Sequence, residues 1–277
     1  MPKLSIITIC YNDPDAYKTC ESIVNQTFQD FEWIVIDGGS KKEILDIFKK
    51  YENRINNFIT EPDEGLYDAY NKGLKLASAP YVHFLNSGDI YHNNNVLKNI
   101  FENKKYDSDI LYCDINFIKN SQTGEFQTVE LPNRINKYFF INENIATPCA
   151  FIKRELFNKY GNFSTSYKIV SDLERWIVFA QNNAKFQHIP IIAADFDTTG
   201  ISSSKQNKNL HLAEKKELYN KYYTYEEYIN AVKNYKIKLK FKERIFSIKN
   251  SPNSEFKIVT ILNFHIKIKR KNNKGDK

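Results

Sequence analysis

The amino-acid sequence predicts an α/β protein: a mostly parallel central sheet flanked by helices, with a basic helical extension at its C-terminal end. Three observations predict it. Apolar runs of strand length alternate with amphipathic helical segments through roughly the first hundred residues. Polar turns carrying glycine or aspartate follow those apolar runs. Charge then divides the chain: residues 205–277 hold 19 Lys/Arg against 7 Asp/Glu, net +12, and residues 1–204 hold 21 against 26, net −5.

The elements follow in order. Leu4 to Ile9 is nearly continuous in apolar residues, as a strand buried on both faces requires. Asn12-Asp13-Pro14 starts a helix, with Asp13 as cap and Pro14 at the first helical position. Phe31 to Ile36 is a second buried strand and Asp37-Gly38-Gly39-Ser40 the turn after it. Ser40 can cap a helix whose apolar face is Ile44, Leu45, Ile47 and Phe48. A short strand near Asn57–Thr60 leads into a loop at Glu61, a helix from Gly65 to about Ala77, and a strand from Tyr81 to Leu85. The pattern changes after about residue 108. Ile110–Cys113 and Ile115–Ile118 read as strands, residues 120–124 as a turn, and Phe126–Leu131 as the returning hairpin partner. Ser171 to Gln181 is a helix, Asp195 to Ser204 a polar loop, and Leu210 to about Phe246 one or two helices. Phe256 to Lys271 reads as a hairpin around Asn263.

Composition sets bounds on function. A chain of 277 residues with 42% hydrophobic and 14% aromatic content can bury a large core, which excludes global disorder. Its four cysteines, Cys10, Cys20, Cys113 and Cys149, form no CxxC pair and suit a reducing compartment. The N-terminus enters a strand directly, and no apolar run reaches the roughly 20 residues of a membrane span. The expectation is a cytoplasmic protein or one lying peripherally on the inner membrane face. An acidic body argues against a nucleic-acid-binding core. The five histidines lack metal-ligand spacing, and His83, in mid-strand, reads as a packed core residue.

Candidate chemistry gathers at the strand exits. In a parallel sheet the exits at Thr8-Ile9-Cys10-Tyr11-Asn12 and Asp37-Gly38-Gly39-Ser40 share one edge, where ligand crevices form. Asp37 could accept the imide N–H of a uracil while Tyr11 stacks on the base; read alone, the same residues are equally a turn with a helix cap. Asn86-Ser87-Gly88-Asp89 ends another strand. There Asp89 could hold Mg²⁺ or Mn²⁺ against a diphosphate, with Gly88 permitting close backbone approach. Lys72 reads either as a point charge for a phosphate or as a solvated helix lysine. Asp63 and Asp68 could cap the helix or touch a donor. Asp172 could serve as a general base toward a sugar hydroxyl, or simply favour a helix N-terminus.

Taken together these motifs resemble those of the inverting glycosyltransferases of family 2, which have the GT-A (Rossmann-like) fold. The resemblance covers roughly residues 3–205. It rests on Ser5–Asn12, Asp37-Gly38-Gly39-Ser40, Glu61–Gly73, Phe84–Asp89, Phe151–Phe157 and Thr199–Ser203 in that order. It implies a GT-A domain over 1–205, with a nucleotide-binding half over 1–108 and an acceptor half over 109–205. Residues 206–277 would form a basic helical extension with a terminal hairpin. It implies that Thr8, Tyr11, Asn12 and Asp37 form the nucleoside pocket, and that Gly65, Lys72, Asn86, Ser87 and Gly88 line the rest of the nucleotide-sugar site. Asp89 falls in the metal-binding DXD motif and Asp172 at the catalytic base. Three departures stand out. Ser87 replaces the first carboxylate of that DXD pattern, Tyr70 stands where many relatives carry arginine, and Thr147-Pro148 where close relatives often carry His-Gln.

The implied function is transfer of a hexosyl or N-acetylhexosaminyl group from a nucleotide-sugar donor, expected to be UDP-linked. The acceptor would be a glycan or lipid-linked glycan in surface polysaccharide synthesis, and the cofactor Mn²⁺ or Mg²⁺. The basic extension could touch anionic membrane. Two other readings compete. A sugar nucleotidyltransferase would carry a glycine- and arginine-rich loop after the first strand, which Cys10–Pro14 does not resemble. A degenerate copy that binds nucleotide or a partner without turnover is kept open by Ser87.

Overall fold

A computed structural model describes residues 1–120, 125–197, 207–250, 256–261 and 264–269. The chain opens with β1 (Leu4–Cys10), α1 (Ala16–Val24), β2 (Phe31–Asp37), α2 (Lys42–Lys49), β3 (Asn57–Thr60), α3 (Leu66–Leu76) and β4 (Tyr81–Phe84). It continues through β5 (Ile90–Tyr91), α4 (Val96–Phe101), β6 (Ile110–Asn120), β7 (Glu125–Val129), α5 (Phe139–Asn142), β8 (Ala150–Lys153) and α6 (Glu155–Tyr160). Then come α7 (Ser171–Gln181), β9 (Phe186–Asp197), α8 (Lys208–Tyr222) and α9 (Tyr225–Ile245). Last are β10 (Phe246–Asn250), β11 (Phe256–Ile261) and β12 (Phe264–Lys269).

The apolar runs take the places their composition demands. All seven residues of β1 and of β2 are buried, and both strands lie inside the sheet. The sheet order is β3-β2-β1-β4-β8-β6-β9-β5, with β7 beside β6. The β3-β2-β1-β4 half is parallel; β8 then runs antiparallel to both β4 and β6. The register pairs Cys10 with Asp37 and Asp37 with Thr60, so three strands end level on one edge. Helix α3 packs close beneath. At Gly73 a Cβ would collide with the side chain of fully buried Ile7, so this glycine lets the helix approach β1. The Tyr70 ring lies 4.4 Å from Phe84 and 5.1 Å from Phe163, fixing α3 through aromatic contacts.

Several local expectations are corrected. Helix α1 begins at Ala16 rather than at Pro14, because the Asp13 carboxylate accepts the Asp15 N–H in a turn that precedes it. Ser40 does not cap α2: Lys41 occupies the cap position, and the Ser40 hydroxyl accepts the Asn12 N–H at 2.7 Å. The two strands expected over 110–118 are one, β6, whose pairing with β9 slips between Cys113 and Ile115. The opening part of β9 escaped the sequence reading because Pro190 and polar residues interrupt its apolar pattern. The slip in register absorbs Pro190, pairing Cys113 with Ile189 and Asp114 with Ile192. Asn120, expected to open a turn, ends β6, and residues 195–197, expected as loop, end β9; residues 121–124 and 198–204 lie outside the described residues. His83 is core as expected: its Nδ1 lies 2.9 Å from the Ala150 carbonyl, and burial lowers its pKa to about 4. All four cysteines are free and buried.

Chain contacts separate two compact units, Met1–Tyr222 and Tyr223–Lys277. Helix α8, which the charge division assigns to the extension, thus belongs with the larger unit. In the smaller unit, Thr224 and Glu227 exchange N–H bonds as a capping box at the start of α9. The expected hairpin is present as β11–β12, joined by a third antiparallel strand, β10. Among the described residues no helix is long and apolar enough to cross a membrane.

Candidate active site

Asp37 closes β2 and is fully buried. One oxygen, Oδ2, accepts the Gly39 N–H at 3.0 Å, the Ser40 N–H at 2.8 Å and the Thr60 hydroxyl at 2.7 Å. The other, Oδ1, has no hydrogen-bond partner among the described residues. A buried carboxylate oxygen without a donor is costly, and natural sites leave one only where a ligand or water completes it. Tyr11 is 68% exposed, and its ring lies against Gly38, the residue that follows Asp37. A Cβ at Gly38 would strike both the Asp63 carboxylate and the Tyr11 ring, so the glycine keeps this corner open. Asn12 stitches the two strand exits: its N–H reaches Ser40, and its Oδ1 accepts the Lys41 N–H at 2.9 Å. Thr8 is placed differently from the sequence expectation. It is fully buried within β1, its hydroxyl taken by the Trp33 indole N–H at 3.0 Å, and it serves the core rather than the pocket.

The second corner is the Asn86–Asp89 turn, closed by the Asp89 N–H on the Asn86 carbonyl at 3.0 Å. Gly88 sits at φ +93°, a conformation that favours glycine. The turn is pinned to β1 by the Ser87 N–H on the Ile9 carbonyl at 3.0 Å. It is pinned to α1 by Thr19, which accepts the Gly88 N–H at 3.0 Å and donates to the Asp89 carbonyl at 2.8 Å. Asp89 is only 4% exposed. The Asn86 amide donates to the Tyr70 hydroxyl at 2.8 Å, and its own oxygen is buried without a partner among the described residues. The Ser87 hydroxyl donates to Asp13 at 2.6 Å.

The third corner is Asp172, in the first turn of α7. The Tyr67 hydroxyl, presented by α3, contacts its Oδ1 at 3.1 Å and the Ile169 carbonyl at 2.6 Å. Burial raises the Asp172 carboxyl above the usual aspartate value, and bonds from the Leu173 N–H and Tyr67 partly offset this. Lys215, half-buried on α8, adds a favourable positive charge, while burial lowers its own pKa. Helix α8 also grips the approach to Asp172. Glu214 is 7% exposed and accepts the Lys168 and Ile169 N–H groups at 2.8 and 2.9 Å. Buried Glu174 pairs with Arg175 at 3.0 Å and Lys221 at 2.8 Å.

Two shared neighbours join the corners. Burial chiefly raises the Tyr70 hydroxyl, and the charges of both Asp172 and Asp89 add to the effect. The Cys10 thiol, raised chiefly by burial, feels Asp37 and Asp13 and bonds toward Ser87. Asp37 and Asp89 therefore follow the ends of β2 and β4, the two strands that flank β1, and Asp172, on α7, shares with Asp89 an influence on the Tyr70 hydroxyl. Gly65, at φ +123°, opens α3 with open space above its Cα. Lys72 does not fit the phosphate reading. Its ammonium bonds Glu61 at 2.9 Å, Asp68 at 3.2 Å and the Pro62 carbonyl at 3.2 Å, which braces the loop. It opens onto a groove of about 440 Å³ shared with Lys75 and Arg154, which none of the three carboxylates lines. Tyr67 and Glu214 escaped sequence reading, since each acts through partners distant in the chain. Among the described residues no group of three His, Cys, Asp or Glu side chains gathers as a metal centre.

A parallel half-sheet with acidic strand exits, extended by antiparallel strands, is the GT-A architecture of nucleotide-sugar transferases. The profile of Glycosyl transferase family 2 matches residues 5–161, more than half of the sequence, and the chain belongs to that family. It is a glycosyltransferase. A PGL/p-HBAD biosynthesis glycosyltransferase of Mycobacterium bovis is 27% identical over 216 residues, covering 75% of this chain and 82% of the relative. The S. aureus TarS structure with UDP-GlcNAc matches at TM-score 0.59 and 19% identity, covering 83% of this chain and 79% of that one. A Pyrobaculum calidifontis mannosyltransferase with GDP-Man and Mn²⁺ matches at TM-score 0.55 and 16% identity, covering 69% and 56%. The chain spans 60% of the TarS chain in the structure of its residues 1–349.

Proposed function

We propose that this enzyme transfers a hexosyl or N-acetylhexosaminyl group, with inversion, from a UDP-linked donor to a glycan or lipid-linked glycan. The product would be a surface polysaccharide or glycolipid. The observation that carries the reading is the unpartnered Oδ1 of Asp37, followed at once by Gly38, against which the exposed ring of Tyr11 lies. An imide N–H fills that oxygen and a pyrimidine covers the ring. Asp172 takes the proton of the acceptor hydroxyl as its oxygen bonds to the anomeric carbon. The bond to the diphosphate breaks on the opposite face, and the nucleoside diphosphate leaves with that electron pair. Asp89 would hold Mn²⁺ or Mg²⁺, which would supply positive charge to the departing diphosphate. TarS is seen in complex with UDP and with UDP-GlcNAc, and the mycobacterial relative is named for PGL/p-HBAD biosynthesis; both support this reading.

The test is a calorimetric panel of nucleotides with Mn²⁺. UDP binds the full chain, and Asp37→Ala weakens it about 10- to 100-fold, as loss of one hydrogen bond to a charged group requires. Preference for GDP, or an Asp37→Ala variant that binds UDP like wild type, overturns the base assignment. A second reading, a nucleotide binder without turnover, is favoured by Ser87 in the DXD position. Metal-stimulated release of UDP from a UDP-sugar rules it out.

Helix α9 exposes Lys236 and Lys238 together with Ile237 and Leu239, 56% and 44% exposed. This surface suits an enzyme that works peripherally on anionic membrane, each basic residue contributing about 1 kcal/mol. Vesicles containing phosphatidylserine co-sediment the full chain, and Lys236→Glu with Lys238→Glu reduces the bound fraction. Equal sedimentation of the two proteins removes the membrane from the proposal.

A further inference from the structure

We propose that Asp13, from the loop between β1 and α1, supplies the second carboxylate of the divalent-cation site in place of the one Ser87 lacks. The inference rests on the transferase reading above. A serine at position 87 cannot ligate as an aspartate would, but its hydroxyl does not face solvent. It donates to Asp13 Oδ2 at 2.6 Å, the length of a charge-assisted O–H···O⁻ bond. A carboxylate is thereby docked, one hydrogen bond away, against the position an aspartate at 87 would fill.

The docking is held from both sides. Asp13 Oδ1 accepts the Asp15 N–H at 2.9 Å, which orients the carboxylate within its own loop. The Ser87 N–H bonds the Ile9 carbonyl, which fixes the Asn86–Asp89 turn beside the end of β1. Each carboxylate oxygen of Asp13 accepts one hydrogen bond, from the Asp15 N–H or from the Ser87 hydroxyl, and keeps further lone-pair capacity for a cation. The adjacent Asn86 offers a buried amide oxygen without a partner among the described residues. Asp13, held against this turn by Ser87, and Asn86 and Asp89 within it would offer oxygen donors alone, the chemistry that Mg²⁺ and Mn²⁺ take, with diphosphate oxygens to complete the set. Two carboxylates from separate strand exits give the charge that the usual motif draws from one segment.

The test measures Mn²⁺ binding from the electron paramagnetic resonance signal of the free ion, on the full chain with saturating UDP and, in a parallel arm, GDP. Asp13→Asn keeps the acceptor for the Asp15 N–H, so its melting temperature without metal stays at the wild-type value. Its Mn²⁺ affinity falls tenfold or more. Adding Ser87→Asp to that variant restores affinity to within about threefold of wild type. Asp13→Asn binding Mn²⁺ like wild type, or a double variant no better than Asp13→Asn, overturns the assignment. A wild-type protein that binds Mn²⁺ with neither nucleotide sinks the metal-dependent donor mechanism and this proposal together, a pattern distinct from failure of Asp13 alone.

Discussion

Asparagine at position 172 abolishes transfer while UDP binding stays near wild type. The amide is nearly isosteric and still accepts the Tyr67 hydroxyl, which lies 3.1 Å from Oδ1 in the native protein. It cannot take a proton. General-base catalysis contributes roughly 10²–10⁴-fold, so the turnover number falls by about that factor. Full activity in this variant would remove Asp172 from the mechanism. The same substitution has a second signature, in stability. Burial raises the Asp172 carboxyl in the folded protein. A group with a raised folded pKa stabilises fully below its unfolded value, about 3.9, and that contribution is lost as pH rises through the folded value. The asparagine variant carries no such loss. Its melting temperature relative to wild type therefore climbs between pH 4 and pH 8. A flat difference across that range would mean the carboxylate is not strained by its surroundings. Wild-type turnover rises through the same interval as the base ionises.

Alanine at position 89 has the other large effect. Asp89 is 4% exposed, on a turn fixed to β1 and to α1 through Ser87 and Thr19. Stabilisation of a leaving diphosphate by fixed charge is worth about 10²–10³-fold per group. Turnover of the Asp89→Ala enzyme drops by about that factor, and Mn²⁺ no longer tightens UDP binding in calorimetry. Metal dependence equal to wild type would place the cation on other ligands.

Much of this was legible because it depends on local pattern. The apolar runs of β1 and β2 could only be interior parallel strands, and their exits necessarily share an edge. Asp37 and Asp89 were therefore visible as strand-end carboxylates, and the bounds of α7 follow from its apolar face. What stayed hidden depends on partners far along the chain. Thr8 looks like a strand-exit hydroxyl until Trp33, 25 residues away, takes it. Lys72 looks free until the loop folds Glu61 and Asp68 onto it. Asp13 fits a helix cap by sequence, and only Ser87, 74 residues on, reveals a second use for its carboxylate. Pro190 masked most of a strand because pattern reading has no access to the irregular register that accommodates it.

The grip of Glu214 on the Lys168 and Ile169 backbone carries a practical corollary. Cutting the gene where basic residues begin to prevail, near codon 205, would discard that anchor along with Lys221, one of the two cations paired with buried Glu174. A minimal catalytic fragment must instead run to Tyr222, where the larger unit ends. The abundance of positive charge is a poor guide to where the machinery stops.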